Sequence, residues 1–445
     1  MTPPVIRLRK TGLMEQYHIT RHFLGMDSCI VASAQYVAQD GAALNREILF
    51  PALRTLIETH AALGLRLDGD EATEDVYLAR LSMVDLSRVV EFSAKDNLQE
   101  AYESQLARGF ATQTDLPLWR VQLLADNTIV FAVHHGVCDG MSLMVFLLGL
   151  LQALQNSESG DTDTSHLVQI PTSNVLFPPV EQATNVRPSL RTICSKLFDS
   201  VAPASWTKMH SAWTGLASPL TPNVTTHVRI LPLPAPDIVA LCAAARTQGA
   251  TLTSTFYVLA VSALSQLIAQ DPARYTRIGS AVAISLHGVA GIPDDVMCDY
   301  PGVFYAHPRV APDFNWAEAG RVARVLQGQK RKGREIVGML GFIQGKYAPY
   351  MKRQLGTKRE TGFCISNVGR VQPPSVGGKW TIGRTIFGQC DVVTGAALSI
   401  NMTGDPTGAL NVAFTWGETS LETSFVEAFI TSLQKGFGEV IGKAE

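Results

Sequence analysis

Along the first 155 residues, apolar positions switch between helical and strand spacing. Between Asn45 and Leu63 the apolar side chains recur every three or four positions, which predicts an amphipathic helix. Gly25–Tyr36, Leu118–Leu124 and Thr128–His135 have the composition of strands. Ala125-Asp-Asn separates the last two of these strands and is typical of a hairpin turn. The second strand of this hairpin therefore ends at a pair of histidines.

Two long apolar stretches predict helices buried in a protein core. Residues 141–155 follow the histidine pair directly and are too few to cross a bilayer. Residues 249–270 are longer but carry Thr, Ser and Gln throughout. We therefore expect no association with a membrane.

A polar, proline-containing region divides the chain into two lobes. From residue 156 to 225 the sequence becomes rich in Ser, Asp, Thr and Pro, which is typical of a surface crossover. We predict an N-terminal lobe over 1–175, a linker over 176–225 and a C-terminal lobe over 226–445. In the second lobe we predict strands at 226–233, 278–286, 301–310, 362–368, 395–403 and 408–416, and helices at 235–248, 252–270, within 316–355 and at 421–443.

Composition indicates an ordinary soluble globular protein. The 445 residues are 46% hydrophobic and 17% charged, and the formal net charge is −2. A nearly neutral molecule has no overall field that attracts nucleic acid, so we expect no nucleic-acid partner. The seven cysteines include no C-x-x-C pair, and the N-terminus has no apolar stretch of the signal-peptide kind. These features predict a cytoplasmic protein without a disulfide framework.

The histidine pair belongs to the most informative local pattern, His134-His135-Gly-Val-Cys-Asp139-Gly140. Successive strand residues point to opposite faces, so the two histidines would not line one site. We find no second cluster of ligand spacing among the other eight histidines, and therefore predict no metal. General-base chemistry needs only one histidine. The alternative is that both are strand-end residues with backbone partners.

The order of further segments carries a family resemblance. His-His-x-x-x-Asp-Gly between an apolar strand and an apolar helix resembles the central motif of the CoA-dependent acyltransferase superfamily. The segments that match in order are Met14-Glu-Gln-Tyr-His-Ile-Thr-Arg-His-Phe-Leu-Gly-Met, Leu53-Arg-Thr-Leu-Ile-Glu-Thr-His-Ala-Ala-Leu, Pro117-Leu-Trp-Arg, Pro301-Gly-Val-Phe-Tyr-Ala-His-Pro-Arg and Phe363-Cys-Ile-Ser-Asn-Val-Gly. The resemblance is closest to the alcohol acetyltransferase branch and extends to condensation domains. It spans residues 14 to 435, but the Asp-Phe-Gly-Trp-Gly segment of the plant-type branch is missing.

The resemblance implies an α/β fold of two pseudo-symmetric lobes like chloramphenicol acetyltransferase. Each lobe would contain a mixed sheet with helices, and an active-site tunnel between them would reach His135. His135 would be the general base that takes a proton from the acceptor. His134 would be structural and would face the opposite side.

Other site residues are carried over with their alternatives. Asp139 would orient the loop through an ion pair with Arg309, unless Arg309 is an exposed strand-end residue. Gly140 would keep the tunnel open for substrate, or would simply begin the helix. Ser366 and Asn367 would bind the donor or the oxyanion, or would form a turn that closes a strand.

A basic stretch could receive the acyl donor. Residues 321–359 contain eleven Lys or Arg and one acid, Glu335. Lys330, Arg331 and Lys332 are consecutive basic residues within it, and they would bind the phosphates of CoA or an acyl carrier protein. The alternative is a solvated helix face.

Together these expectations describe an acyl-CoA-dependent O-acyltransferase, in particular an O-acetyltransferase. Acetyl-CoA or another acyl-CoA would be its co-substrate, a biosynthetic small-molecule alcohol or amine its acceptor, and no cofactor would be permanently bound. We expect a monomer. The alternatives are a carrier-protein-dependent acyltransferase or condensation enzyme, and a repurposed pocket or binding protein.

Overall fold

The computed structural model describes residues 5–73, 75–156, 164–203, 206–268, 275–293, 295–373 and 378–442. The side chains of residues 199–200 and of Lys330 and Arg331 lie outside this description.

Strands and short or long helices alternate along the described chain. The strands are β1 (Ile6–Lys10), β2 (Ile30–Ala38), β3 (Leu65–Asp70), β4 (Asp75–Arg80), β5 (Met83–Asp85), β6 (Val90–Phe92), β7 (Trp119–Leu123), β8 (Thr128–Val133), β9 (Leu167–Gln169), β10 (Ala212–Trp213), β11 (Thr226–Leu233), β12 (Arg277–Ile278), β13 (Ser280–Ser285), β14 (Pro301–Ala306), β15 (Phe363–Arg370), β16 (Trp380–Gln389), β17 (Leu398–Gly404) and β18 (Leu410–Gly417). The helices are α1 (Leu13–Phe23), α2 (Arg46–Thr59), α3 (Leu86–Val89), α4 (Leu98–Leu106), α5 (Gly140–Asn156), α6 (Val180–Ala183), α7 (Leu190–Val201), α8 (Ala235–Thr247), α9 (Leu252–Ile268), α10 (His287–Ala290), α11 (Trp316–Met339), α12 (Tyr347–Lys352) and α13 (Thr423–Gly442).

The first lobe is built on a five-stranded sheet in the order β16-β2-β8-β7-β6. Every residue of the central strand β8 is buried, as its run of apolar residues predicts. The predicted helices α2 and α5 cover one face, where Phe131 of β8 stacks on Phe146 of α5 with ring centroids 3.6 Å apart. The strand before the histidine pair and the helix after it thus belong to one core.

The second lobe is built on a six-stranded sheet in the order β11-β18-β17-β15-β13-β14. It is mixed, because β13 pairs parallel with β15 but antiparallel with β14. The buried helix α9 packs against α11 and α13. Two lobes of mixed sheet with helices confirm the predicted fold class.

One strand crosses the predicted domain boundary. Trp380–Gln389, which the sequence analysis assigns to the C-terminal lobe, pairs antiparallel with β2 at the edge of the first sheet. The assignment of the whole of 226–445 to one lobe is therefore wrong for this segment. Its partner strand is far away in sequence, so local patterning carries no sign of the exchange.

Helix α1 was missed for a different reason. Glu15, Gln16, His18, Thr20 and Arg21 of this helix are all buried, so its inner face is largely polar. Hydrophobic periodicity does not detect such a helix. The predicted linker also contains the helices α6 and α7.

Among the described helices, none is by itself long and apolar enough to cross a membrane. The pair α8 and α9 meets that criterion together, with a bend of 96° between them.

Candidate active site

The loop that carries the histidine pair begins where β8 ends. The NH of His134 donates to Leu118 O at 2.9 Å, and the chain then turns, with the NH of Val137 donating to His134 O. The NH of Gly136 donates to Nδ1 of His134 at 2.9 Å. His134 therefore has the backbone partner that its structural interpretation requires.

Asp139 ends this loop and caps α5. Its Oδ1 accepts hydrogen bonds from the NH groups of Met141 and Ser142, both at 3.0 Å. These bonds satisfy first-turn donors that have no partner within the helix. The carboxylate therefore fixes where α5 begins relative to His135.

The predicted ion pair between Asp139 and Arg309 is wrong. The other oxygen of Asp139, Oδ2, accepts from Nε2 of His287 at 2.9 Å and from the NH of Tyr300 at 3.2 Å. Arg309 is exposed, whereas Asp139 is buried. Arg309 cannot reach Asp139 because Asp139 is bound at Tyr300, and the six residues of β14 carry the chain about 20 Å away from Tyr300 before it reaches Arg309.

The same contacts bring a second carboxylate to the histidines. Ser142 Oγ donates to Cys298 O at 2.8 Å and accepts from the NH of Cys298 at 3.0 Å. The NH of Asp139 also donates to Cys298 O. Since residues 298 and 300 are both tied to the motif loop, Asp299 between them is held beside His135.

His135 lies against Asp299. Nδ1 of His135 is 3.3 Å from Oδ1 of Asp299, although the alignment falls short of a well-formed hydrogen bond. The Asp299 side chain has 0% exposure and that of His135 has 15%. Only the histidine is thus accessible to a small molecule.

His18 completes this cluster from α1. Its Nδ1 is 2.9 Å from Oδ2 of Asp299, and its ring lies 3.8 Å from the ring of His135 between centroids. Asp299 therefore has one imidazole at each carboxylate oxygen. We name His18, His135 and Asp299 the His-Asp-His cluster.

The members of the cluster have different protonation tendencies. Burial lowers the pKa of His135, but the contact with Asp299 outweighs it and leaves the pKa above the ordinary value for histidine. Burial lowers the pKa of His18 far below that value. Burial also raises the pKa of Asp299 to about 6, against the opposing effect of His135. His18 is therefore much harder to protonate than His135.

A buried ion pair lies beside the cluster. Arg21 and Asp27 form a salt bridge, and Nε of Arg21 donates to Oδ2 of Asp27 at 2.7 Å. Burial alone would raise the pKa of Asp27, but Arg21 holds it below its ordinary value. The negative charge of Asp27 in turn favours the protonated form of His135.

Both histidines of the motif contact the same helix. His135 lies against His18, and His134 lies against His22 with centroids 4.4 Å apart. The prediction that they face opposite sides is wrong, because β8 ends at Val133 and strand alternation stops before them. The four-residue spacing of His18 and His22 was the available signal, since it places both on one helical face.

We expected no metal-ligand cluster among the eight histidines outside the motif, but one of them, His18, belongs to such a cluster. In the described residues, ligand atoms of His18, His135 and Asp299 lie within 4.8 Å of one another, which is close enough to surround a metal ion. A metal ligand must offer a lone pair, however, and the 2.9 Å contact of His18 with Asp299 has hydrogen-bond geometry. We therefore interpret the cluster as hydrogen-bonded, and the absence of a metal stays a prediction.

Gly140 and β15 meet at the beginning of α5. A Cβ atom on Gly140 would lie 2.8 Å from Cγ1 of Val368 and 3.4 Å from Cζ of Phe387. The space beside this glycine is therefore occupied by side chains of β15 and β16. Close packing, rather than an open tunnel, explains the small residue here.

Ser366 and Asn367 lie on opposite faces of β15. Ser366 is two residues from Val368 and so shares the face that approaches the motif. Nδ2 of Asn367 donates to Thr253 Oγ1 at 2.9 Å, and its Oδ1 accepts from the NH of Gly369 at 2.9 Å. Ser366 thus shares a face of β15 with Val368, which packs against Gly140, and a binding role for either residue stays a prediction.

The basic stretch does not form one continuous patch. Arg359 is buried and donates to Ser420 Oγ at 2.7 Å, and Arg321 pairs with Glu318. Lys332 is exposed on α11. Lys330 and Arg331 precede it on the same helix, but their side chains lie outside the described part of the chain.

Comparison with known proteins identifies the family of this chain. A family model described as alcohol acetyltransferase matches residues 10–301. The chain belongs to this family. It is therefore an acyltransferase, and the matched range contains α1, the motif loop and Asp299.

Two relatives of this acyltransferase match most of its length at low identity. A probable alcohol acetyltransferase of Aspergillus fumigatus is 23% identical over 96% of this chain and 98% of its own. A probable alcohol acetyltransferase of Fusarium pseudograminearum is 22% identical over 84% of this chain and 82% of its own.

Solved structures show the same fold. The trichothecene 15-O-acetyltransferase of Fusarium sporotrichioides superimposes with a TM-score of 0.69 at 12% identity, covering 98% of this chain and 94% of that one. The condensation domain of a monacolin K polyketide synthase gives a TM-score of 0.65 at 14% identity, with 98% of both chains covered.

Proposed function

We propose that this acyltransferase transfers an acyl group, in particular acetyl, from acyl-CoA to the hydroxyl of a biosynthetic small molecule, with His135 as the general base. The observation that carries the proposal is the contact of His135 Nδ1 with the buried carboxylate of Asp299. A proton held on Nδ1 leaves Nε2 as the lone pair that can accept a proton from substrate. The partial exposure of the ring supports the same assignment.

The reaction would follow in two steps. Nε2 of His135 takes the hydroxyl proton while the hydroxyl oxygen attacks the thioester carbonyl, and a tetrahedral oxyanion forms. Its collapse breaks the carbon–sulfur bond, and the thiolate receives the proton from His135. The products are an ester and the free thiol of CoA, and the base returns to its neutral form.

The test is direct assay of the purified protein. Incubation with acetyl-CoA and a panel of alcohols and amines should yield an ester together with one free thiol per turnover, as measured by mass spectrometry and a thiol reagent. His135→Gln should lower turnover by roughly 10²–10⁴-fold, the usual effect of removing a general base. Near wild-type activity in this variant would refute the mechanism.

The matched control is the neighbouring histidine. His134 lies on the same loop but is buried, and its Nδ1 accepts a hydrogen bond from the backbone. His134→Gln should reduce the yield of folded protein rather than turnover per folded molecule. A larger loss of turnover in this variant than in His135→Gln would show that His134, and not His135, is the base.

A further inference from the structure

Asp299 is the buried charge nearest to the proposed base, and the family motif does not contain it. It has no described cationic Lys or Arg partner within salt-bridge distance, and its two oxygens contact only the imidazoles of His18 and His135. A buried carboxylate without a permanent cation is costly. Its retention at this point requires a compensating interaction, which the two histidines supply.

The two imidazoles contact Asp299 in different ways. His18 Nδ1 makes a well-formed 2.9 Å hydrogen bond to Oδ2, whereas His135 Nδ1 approaches Oδ1 at 3.3 Å without good alignment. Because His18 is neutral, its Nδ1–H donates a hydrogen bond to Oδ2 of Asp299 and adds no second positive charge. Oδ1 of Asp299 therefore remains able to accept a hydrogen bond, and it is the oxygen that faces His135.

Resting structures of enzymes often show such loose catalytic contacts, which tighten when substrate binds. Tightening here would require rotation of the His135 ring toward Oδ1 of Asp299. The ring of His18 limits that rotation, because it is packed against His135 with centroids 3.8 Å apart.

We propose that Asp299 and His18 are positioning residues for His135: Asp299 holds the proton of the base on Nδ1 and stabilises its imidazolium, and His18 orients Asp299 and restrains the ring. This inference rests on the proposed function for its kinetic part only. Asp299 acts through His135 and does not touch the substrate. His18 is not a second base, since its Nδ1 hydrogen is committed to Asp299.

The protonation of His135 has several contributors. The charged or titratable groups that face the cluster are His18, Arg21 and Asp27 from α1 and the segment after it, His134 and Asp139 from the motif loop, and Asp299 before β14. Arg21 disfavours the protonated form of His135, while Asp27 and Asp299 favour it. Asp299 is the only one of the three in direct contact with the ring, so its removal should have the largest effect.

The first test needs no activity. Nitrogen NMR of histidine-labelled full-length protein should show neutral His135 as the Nδ1-protonated tautomer, and His18 as neutral with its proton on Nδ1. In Asp299→Asn the pKa of His135 should fall, because an amide does not stabilise the imidazolium. An Nε2-protonated His135 in the wild type, or an unchanged pKa in folded Asp299→Asn, would overturn the proposal. If Asp299→Asn does not fold, the wild-type tautomer decides.

The second test is kinetic. Asp299→Asn should lower kcat by at least about 10-fold, as loss of the orienting carboxylate of a catalytic triad does, with a smaller change in KM. The acidic limb of the kcat/KM profile should move to lower pH. If the acidic limb of Asp299→Asn lies at the same pH as that of the wild type, Asp299 has only a packing role.

His18 has its own matched control one helical turn away. His18→Phe keeps a flat ring against His135 but removes the hydrogen bond to Asp299, whereas His22→Phe makes the same change against His134. The first variant should lower kcat more than the second at equal folded yield, and equal losses would contradict the role of His18. If the wild type transfers no acyl group, the proposed function fails, and the NMR test still decides the arrangement of the cluster.

Discussion

Asp139 accepts a hydrogen bond from Nε2 of His287 at 2.9 Å, and this contact joins the motif loop of the first lobe to α10 of the second. Both side chains are buried. Asp139 is thus a tie between the lobes in addition to the cap of α5, and its role depends on a histidine that no motif indicates.

Loss of this tie should affect stability more than substrate binding. Asp139→Ala removes the acceptor of two first-turn NH groups and of the hydrogen bond from His287, and breaking a buried pair of this kind typically costs roughly 3–5 kcal/mol. Arg309→Ala should change the free energy of unfolding by no more than about 0.5 kcal/mol, because the side chain is exposed. Urea denaturation of both variants measures the free energy of unfolding. Equal losses in the two variants would support the predicted ion pair between Asp139 and Arg309.

The contribution of Asp139 should depend on pH in a defined direction. Burial raises its pKa, but the hydrogen bonds from His287 and the backbone outweigh this and hold the pKa below the ordinary value. A group with a lowered pKa in the folded state stabilises above its unfolded pKa, about 3.9, and loses that contribution as pH falls through the folded pKa. The unfolding free-energy difference between wild type and Asp139→Asn should therefore shrink as pH falls from 7 toward 3. A difference that grows would contradict the sign.

Gly140→Ala tests whether the glycine serves packing or access. A Cβ atom here would lie 2.8 Å from Cγ1 of Val368, so we expect a loss of about 1–3 kcal/mol from overpacking. Pairing the change with Val368→Ala removes the clash and should recover part of the stability. A stable single variant with a raised KM would instead favour the tunnel interpretation.

The basic segment of α11 can be tested for a role in donor binding. Reversal of charge at Lys330, Arg331 and Lys332 should raise the KM for acetyl-CoA and leave kcat nearly unchanged, since uniform binding is lost. The same KM should rise with salt, because exposed charges are screened over about 8 Å at physiological ionic strength. Lys352 at the end of α12 and Arg353 directly after it are both exposed and provide the control pair.

Comparison of donors separates two roles for this segment. If the reversal depresses only transfer from a carrier-loaded acyl group and spares acetyl-CoA, the segment docks a carrier protein. If both donors are unaffected, it is a solvated helix face.

Treatment with a chelator tests the predicted absence of a metal. The base mechanism needs only His135 and its positioning residues, so EDTA or phenanthroline should leave turnover unchanged. Loss of activity that one divalent cation restores would instead make the His-Asp-His cluster a metal site.

The sequence predicted the parts of this protein whose pattern is local. The burial of β8 and α5 follows from uninterrupted apolar residues, and α2 follows from an apolar stripe. His18 and Asp299 could not be found in the same way, because each is brought to the site by contact with a residue far away in sequence. Asp299 lies two residues before the segment beginning at Pro301 that resembles the family, so its neighbourhood was identified but its role was not.

The pairing of β16 with β2 also has a consequence for synthesis of the chain. The first sheet receives its edge strand only after about 380 residues have left the ribosome, so β2 remains an open edge while most of the protein is made. An open edge can pair with another nascent chain. Production of the first lobe as a separate fragment should therefore give aggregated material, and supplying the segment 378–392 in trans should improve its solubility.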